Sequence, residues 1–164
     1  MNKQFLIFLG VGLVVIGAAI FVVFSSTKGN HLELKGEVLK IRTGALDEKT
    51  SAAILDVRLT NPSDVPFVVR EVSVTVDGQD GQSASGSLIS KTDLKQLFAY
   101  NRFLGDQYND GLGIKDSIPA HASVDRMVAV RFDIPAPQLD SSKLLHFEVQ
   151  DMDGALFDAS RKVK

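Results

Sequence analysis

Residues 5–24, FLIFLGVGLVVIGAAIFVVF, contain no charge and no side-chain amide or carboxylate. Twenty residues at about 1.5 Å rise span about 30 Å, the thickness of a bilayer's hydrocarbon core. Lipid cannot satisfy free backbone N–H and C=O groups, so a run of this kind has to be helical there. A cleaved secretory signal has a shorter apolar region, about 7–15 residues, that ends in small residues. Here the best cleavage site, Val23-Phe24-Ser25, fits an A-x-A pattern poorly, and no cysteine follows to carry a lipid. The run reads as an uncleaved signal-anchor, a single transmembrane helix behind a short tail at residues 1–4. Gly10 and Gly17 stand one heptad apart without a small-xxx-small pair, so plain lipid contact is expected around them.

Lys3 favours a cytoplasmic start, whereas Lys28, Lys35, Lys40 and Arg42 follow the run. The positive-inside bias acts through short loops, and long domains translocate largely regardless of charge. The chain beyond the span is therefore expected to be extracytoplasmic. Residues 25–30, SSTKGN, form a linker too short to hold a domain far from the membrane.

Residues 31–164 suffice for one domain and not two. They carry 16 basic and 20 acidic side chains, so the basic face that nucleic acid requires is not expected. The absence of cysteine removes disulfides, iron–sulfur clusters, thiolate zinc sites and cysteine nucleophiles. What remains is a succession of strand-like runs. Residues 32–42 form the first, with a change of phase near Gly36 that suggests a bulge. In residues 53–60, Leu55, Val57 and Leu59 alternate with Asp56, Arg58 and Thr60, a period of two that means one buried and one wet face. Asn61-Pro62-Ser63-Asp64 turns the chain into residues 67–76, with Val72, Val74 and Val76 inward. A turn at residues 77–81 predicts a hairpin with residues 82–90. Residues 124–134 and the run around Leu145, Phe147 and Val149 alternate just as regularly, and Asp153-Gly154 leads to a last strand at residues 155–159. Seven or eight strands separated by turns describe an all-β domain, an immunoglobulin- or fibronectin-like β-sandwich.

One segment breaks the pattern. In residues 92–104, Leu94, Leu97, Phe98 and Leu104 form an apolar stripe at helical spacing. Thr92 or Asp93 can cap the helix, Asp93 and Gln96 have capping-box spacing, and Gly105 is a natural stop. The helix and its loop make an insertion at residues 92–117. It can close one end or an open edge of the sandwich with its aromatics in the core. Alternatively, Tyr100, Phe103 and Tyr108 stay exposed and form a partner surface.

The chemistry is sparse. Asp106-Gln107-Tyr108-Asn109-Asp110-Gly111 starts like a calcium loop, but Tyr108 takes a ligand position and Ser117 stands where the bidentate glutamate belongs. Asp106, Asp110 and Asp116 make a solvated, turn-rich loop the better account. His31, His121 and His146 are scattered without metal-ligand spacing, and His146 has the outward parity of its strand. No nucleophile elbow, phosphate loop or zinc-protease signature occurs, and Gly111-Leu112-Gly113 is a pair of loop glycines. No catalytic residue, cofactor or metal is expected.

Residues 55–78, LDVRLTNPSDVPFVVREVSVTVDG, resemble the water-stress hypersensitive domain of group 2 late embryogenesis abundant proteins, in which an Asn-Pro links one strand to a second of alternating valines. Ile118-Pro119-Ala120 ahead of the strand at 124–134 is a further match. The resemblance implies a fibronectin-like sandwich without a catalytic site and a stress-protective or lipid-facing role, and it carries over no functional residues. Taken with the anchor, the sequence leads to a membrane-held, non-catalytic interaction module with an envelope protein as partner and Tyr100, Phe103 and Tyr108 as its surface.

Overall fold

The structure, a computed structural model, describes residues 12, 13, 15–18, 20, 21, 33–101 and 104–163. The chain divides into two units, Met1–His31 and Leu32–Lys164. The span expected at residues 5–24 falls largely outside the described residues; those of it that are described are helical. No helix among the described residues is long and apolar enough to cross a membrane.

The second unit runs β1 (Lys35–Ala45), β2 (Ser51–Thr60), β3 (Phe67–Asp77), β4 (Ser83–Ser85), β5 (Ser87–Leu88), α1 (Lys91–Tyr100), β6 (Ser117–Ile118), β7 (Ser123–Phe132), α2 (Ala136–Asp140), β8 (Leu144–Asp151) and β9 (Leu156–Arg161). One antiparallel sheet has the order β1-β2-β7-β5, and the other has β4-β3-β8-β9 with β6 paired to the start of β3. Leu55, Val57, Val128 and Phe132 of the first sheet meet Val74, Leu145, Phe147 and Val149 of the second in the main core. Each such large apolar side chain contributes about 1.5–3 kcal/mol when fully buried. Phe147 and Phe157 meet edge to face, with centroids 6.1 Å apart.

The turn after β2 works through its asparagine. Asn61 is fully buried, and its amide donates to the carbonyls of Val65 (2.8 Å) and Ile118 (3.1 Å). Its carbonyl oxygen accepts from the Ser63 N–H at 3.0 Å and from the Ser63 hydroxyl at 2.5 Å. The buried side chain is thereby satisfied at both ends, which is the condition for burying an amide at all. Asp151 does the same for the β8–β9 hairpin, accepting from the backbone N–H groups of Val68 and Asp153 while Gly154 turns at φ 91°.

Four details depart from the sequence expectation. β1 begins and ends later than residues 32–42, and its irregularity lies between Val38 and Lys40. Gly36 instead marks a close approach, since a Cβ there would collide with the Arg58 carbonyl. β9 extends to Arg161 because it pairs with β8 as far as Leu145. β2 is buried on both faces from Ser51 to Val57, not on one.

The fourth departure is the largest. Residues 82–90 form two strands in different sheets: β4 pairs with β3, and β5 pairs with β7. Gly86 is the crossing point, and its N–H still donates to Val74 of the sheet being left. A Cβ at Gly86 would meet the Phe132 ring at 2.9 Å and the Val130 Cβ at 3.0 Å, both core groups with little room to yield. Gly86→Ala is expected to destabilise the domain by about 1–3 kcal/mol, the usual cost of overpacking. Urea unfolding checks this, and an unchanged midpoint would show that the crossing does not need glycine.

Candidate interaction surface

The insertion is bound to the sandwich as a third layer. Ile54 of β2 and Met127 and Ala129 of β7 point away from the main core and would otherwise meet water. Leu94 and Leu104 bury against them, with Leu97 and Phe98 partly buried alongside. Helix α1 thus lies on the outer face of the sheet, whereas the sequence had left an end or an edge as its place. The edge is taken by the loop beyond it: Leu112 donates to Met127 O at 2.7 Å, Met127 donates to Asp110 O at 2.9 Å, and Gly111 pairs with Met127 in parallel. This extends the sheet where two-residue β5 stops and satisfies backbone groups of β7 that would be left open.

The cap of α1 is Ser90, one turn earlier than Asp93. Its hydroxyl accepts from the Asp93 N–H at 3.2 Å and bonds the Asp93 carboxylate at 2.8 Å. The helix ends at Tyr100 with Asn101 as its C-cap, so Leu104 reaches the second core from the loop and not from the helix. Asn101 also donates to Ala45 O at 3.1 Å, tying this end to β1.

Two cations pin the insertion. Arg42 of β1 projects under it and donates to the carbonyls of Leu104 (2.6 Å) and Asp106 (2.9 Å). Its guanidinium lies 5.5 Å from the Phe98 ring centroid and 5.2 Å from that of Tyr108. Asp56 supplies the countercharge at 3.4 Å, with both side chains about nine-tenths buried. The two carbonyls carry the short hydrogen bonds; Asp56 chiefly balances charge. Among the described residues the Nε of Arg42 has no partner, which costs about 1–3 kcal/mol against the rest. At the other end, Lys91 lays its stem across Gly111 and Gly113, where Cβ atoms would come within 3.0–3.3 Å of it. Its ammonium reaches Asp116 at 2.5 Å. Those glycines therefore serve the packing of a lysine stem.

On this fixed element the expected aromatics take different places. Tyr100 is 89% exposed and Tyr108 is 63% exposed, so neither is core. Tyr108 has one face on Arg42, whereas Tyr100 stands at the helix end. Phe103 lies outside the described residues. Sequence reasoning missed Arg42 and Asp56. The clue was an acidic residue inside Ala52-Ala53-Ile54-Leu55-Asp56-Val57, a continuous apolar run of the kind that signals a strand covered on both sides.

The acidic loop residues do not converge. Asp116 is taken by Lys91 and by the Gly113 N–H at 2.9 Å, and Asp106 contributes its backbone carbonyl to Arg42. Among the described residues no group of three or more His, Asp or Glu is placed to hold a metal ion. The histidines pair singly with carboxylates, His121 with Asp64 and His146 with Asp77, each at 2.9 Å; His31 lies outside the described residues. His146 is half-buried, not freely solvated as its parity suggested.

No protein-family model and no curated protein matches this chain. Solved structures that share part of its form include a candidate lipoprotein from Bacillus subtilis, at 10% identity and TM-score 0.48 over 82% of this chain. This chain spans only 38% of that protein's length. An uncharacterized β-sandwich protein from Clostridium difficile is 14% identical over 81% of this chain and 82% of its own, with TM-score 0.37. The archaellum periplasmic stator protein FlaG from Sulfolobus acidocaldarius is 10% identical over 79% and 100%, with TM-score 0.33. Likeness at this level carries no functional argument, and the two-sheet architecture rests on the strand pairing of this chain itself.

Removing the countercharge of Arg42 separates a buried pair from an exposed one. Asp56→Ala is expected to cost about 3–5 kcal/mol, because it leaves a buried charge uncompensated. It should also raise hydrogen exchange across residues 91–117. Arg58→Ala, which removes the half-exposed Arg58–Asp125 pair, should cost no more than about 1 kcal/mol. Equal losses in the two variants would show that Arg42 does not hold the layer down.

Acid should act through exposed carboxylates. The Thr50 hydroxyl holds Asp47 below its ordinary 3.8, the Ser83 hydroxyl and then His146 do so for Asp77, and Arg58 does so for Asp125. A depressed carboxylate stabilises the fold fully above its unfolded value and loses that contribution as pH falls through the folded one. Urea midpoints should therefore hold steady down to about pH 5 and fall steadily below pH 4. In Asp77→Asn the fall should be shallower.

Proposed function

We propose that this chain is a single-pass, membrane-anchored, non-catalytic module whose sandwich lies outside the cytoplasm and binds an envelope protein through the helix–loop insertion. The observation that carries this reading is the 89% exposure of Tyr100 and 63% exposure of Tyr108 on an element otherwise fixed in place. The fixing comes from Arg42, Lys91, Asn101 and a dedicated apolar core. Rigid, exposed aromatics offer a large contact area at low ordering cost, which is how partner surfaces are commonly built. The apolar run at residues 5–24 supports the anchor.

Strand order supports an immunoglobulin-type sandwich. β1-β2-β7-β5 against β3-β8-β9 follows the order of the two sheets of constant-type immunoglobulin domains, with β4 as an added edge strand. Such frameworks lend their loops and edges to recognition. Tethering then raises the local concentration of that surface at the membrane, so even a weak contact is effective there.

Photo-crosslinking in intact cells tests the reading on the full chain. Tyr100→p-benzoylphenylalanine and Tyr108→p-benzoylphenylalanine should each yield an adduct with an envelope protein, and the same substitution at Asp158, exposed on β9, should not. Folded protein that gives no adduct from either tyrosine position rejects the surface. Alkaline carbonate should leave the chain with the membrane; its release would reject the anchor.

A further inference from the structure

The seam between α1, its loop and the sheet contains a notch of about 300 Å3 lined by Lys91, Lys95, Gln107, Asp110, Asp116 and Arg126. Its charges are not balanced from within. Asp116 is spent on Lys91 and on the Gly113 N–H. That leaves Lys95 and Arg126 as cations, with Asp110 exposed at the notch. Among the described residues no ion pair joins Asp110 to either of them.

Arg126 is the telling residue. Arg42, Arg58 and Arg131 each have a carboxylate partner; Arg161 donates to the Val38 carbonyl, and Arg70 is exposed to solvent. Arg126 is half-buried, and it donates to the Asp125 backbone carbonyl at 3.0 Å. The neighbouring carboxylate of Asp125 is gripped by Arg58 through bonds of 2.7 and 2.9 Å. A guanidinium cannot shed its proton to escape a poorly solvated site, and Arg126, without an ion pair among the described residues, keeps donors in a fork that matches a carboxylate. Lys95 stands one turn along α1 from Lys91 and brings a second charge to the same opening.

We infer that this notch receives an acidic side chain of the partner bound by the insertion, its carboxylate held between Arg126 and Lys95. The inference rests on the interaction reading above and supplies the partner's chemistry. A protein carboxylate fits better than an anionic lipid surface: residues 31–164 carry 20 acidic against 16 basic groups, so a continuous negative surface repels the domain while a single carboxylate can enter the notch. Gln107 lines the notch and Tyr108, the next residue, stacks on Arg42, so one loop carries both the notch and an exposed aromatic.

Fluorescence anisotropy of a labelled oligoglutamate peptide, with the full chain in neutral detergent, tests this. Binding should saturate and should weaken with added salt. Arg126→Gln or Lys95→Gln should each weaken it about tenfold, or about 1.4 kcal/mol, while the remote and exposed Lys49→Gln leaves it unchanged. Lys95 lies on the exposed side of α1, so that variant folds and keeps the test decisive should Arg126→Gln not. Absence of saturable binding, or equal binding by Lys95→Gln and the unaltered chain, overturns the inference. Notch-dependent binding to phosphatidylglycerol vesicles without binding to the peptide also overturns it, in favour of a lipid. Crosslinks from positions 100 and 108 that persist alongside either result would show that the surface stands and only the notch fails.

Discussion

Two strands of this sandwich are apolar on both faces. Ile54, Met127 and Ala129 look outward from a sheet whose inner face already forms the main core. A strand of that kind at a sheet's centre must be covered twice or it becomes a sticky surface. The rest of the architecture follows from that requirement. The chain leaves the first sheet after β5, lays α1 over its outer face, closes the β7 edge with Asp110–Leu112, and joins the other sheet through β6, which pairs with β3.

Among the described residues apolar burial in this third layer is modest, with five fully buried side chains, so polar anchors matter more than in the main core. Arg42 is the chief one, and its energetics are mixed. Two short bonds to carbonyls and two aromatic faces favour it; a distant carboxylate and an Nε unpartnered among the described residues count against it. Each aromatic contact is worth about 0.5–2 kcal/mol depending on desolvation. The arrangement also explains why Tyr108 keeps a definite orientation while remaining largely in water. One ring face is on the guanidinium, and the remainder is free for contact.

Much of the two-sheet frame was legible from alternation alone. Leu55-Val57-Leu59, Val128-Val130-Phe132 and Leu145-Phe147-Val149 all face the main core, as a period of two requires. The same logic failed at Asp56, whose polar character implied a wet face. It is buried because Arg42, two residues along β1 from its register partner Lys40, reaches it diagonally, a pairing between strands that periodicity cannot register. Residues 82–90 failed for a different reason: with no large side chain at Gly86, nothing in the pattern marks a change of sheet. The helix was visible from Leu94, Leu97 and Phe98, but its resting place depended on Met127 and Ala129, which looked like ordinary strand filler. Of the candidate surface, the sequence supplied the tyrosines, and the structure supplied what braces them and the cationic opening beside them.

The switch at Gly86 has a mechanical meaning. Only five residues separate the end of β4 in one sheet from the start of α1 on the far side of the other. Between them lies a backbone too short to slacken, so the helix is leashed to both layers at once. A single residue stitches the two sheets together there, so the helix cannot be drawn far from the sandwich without straining backbone that belongs to both.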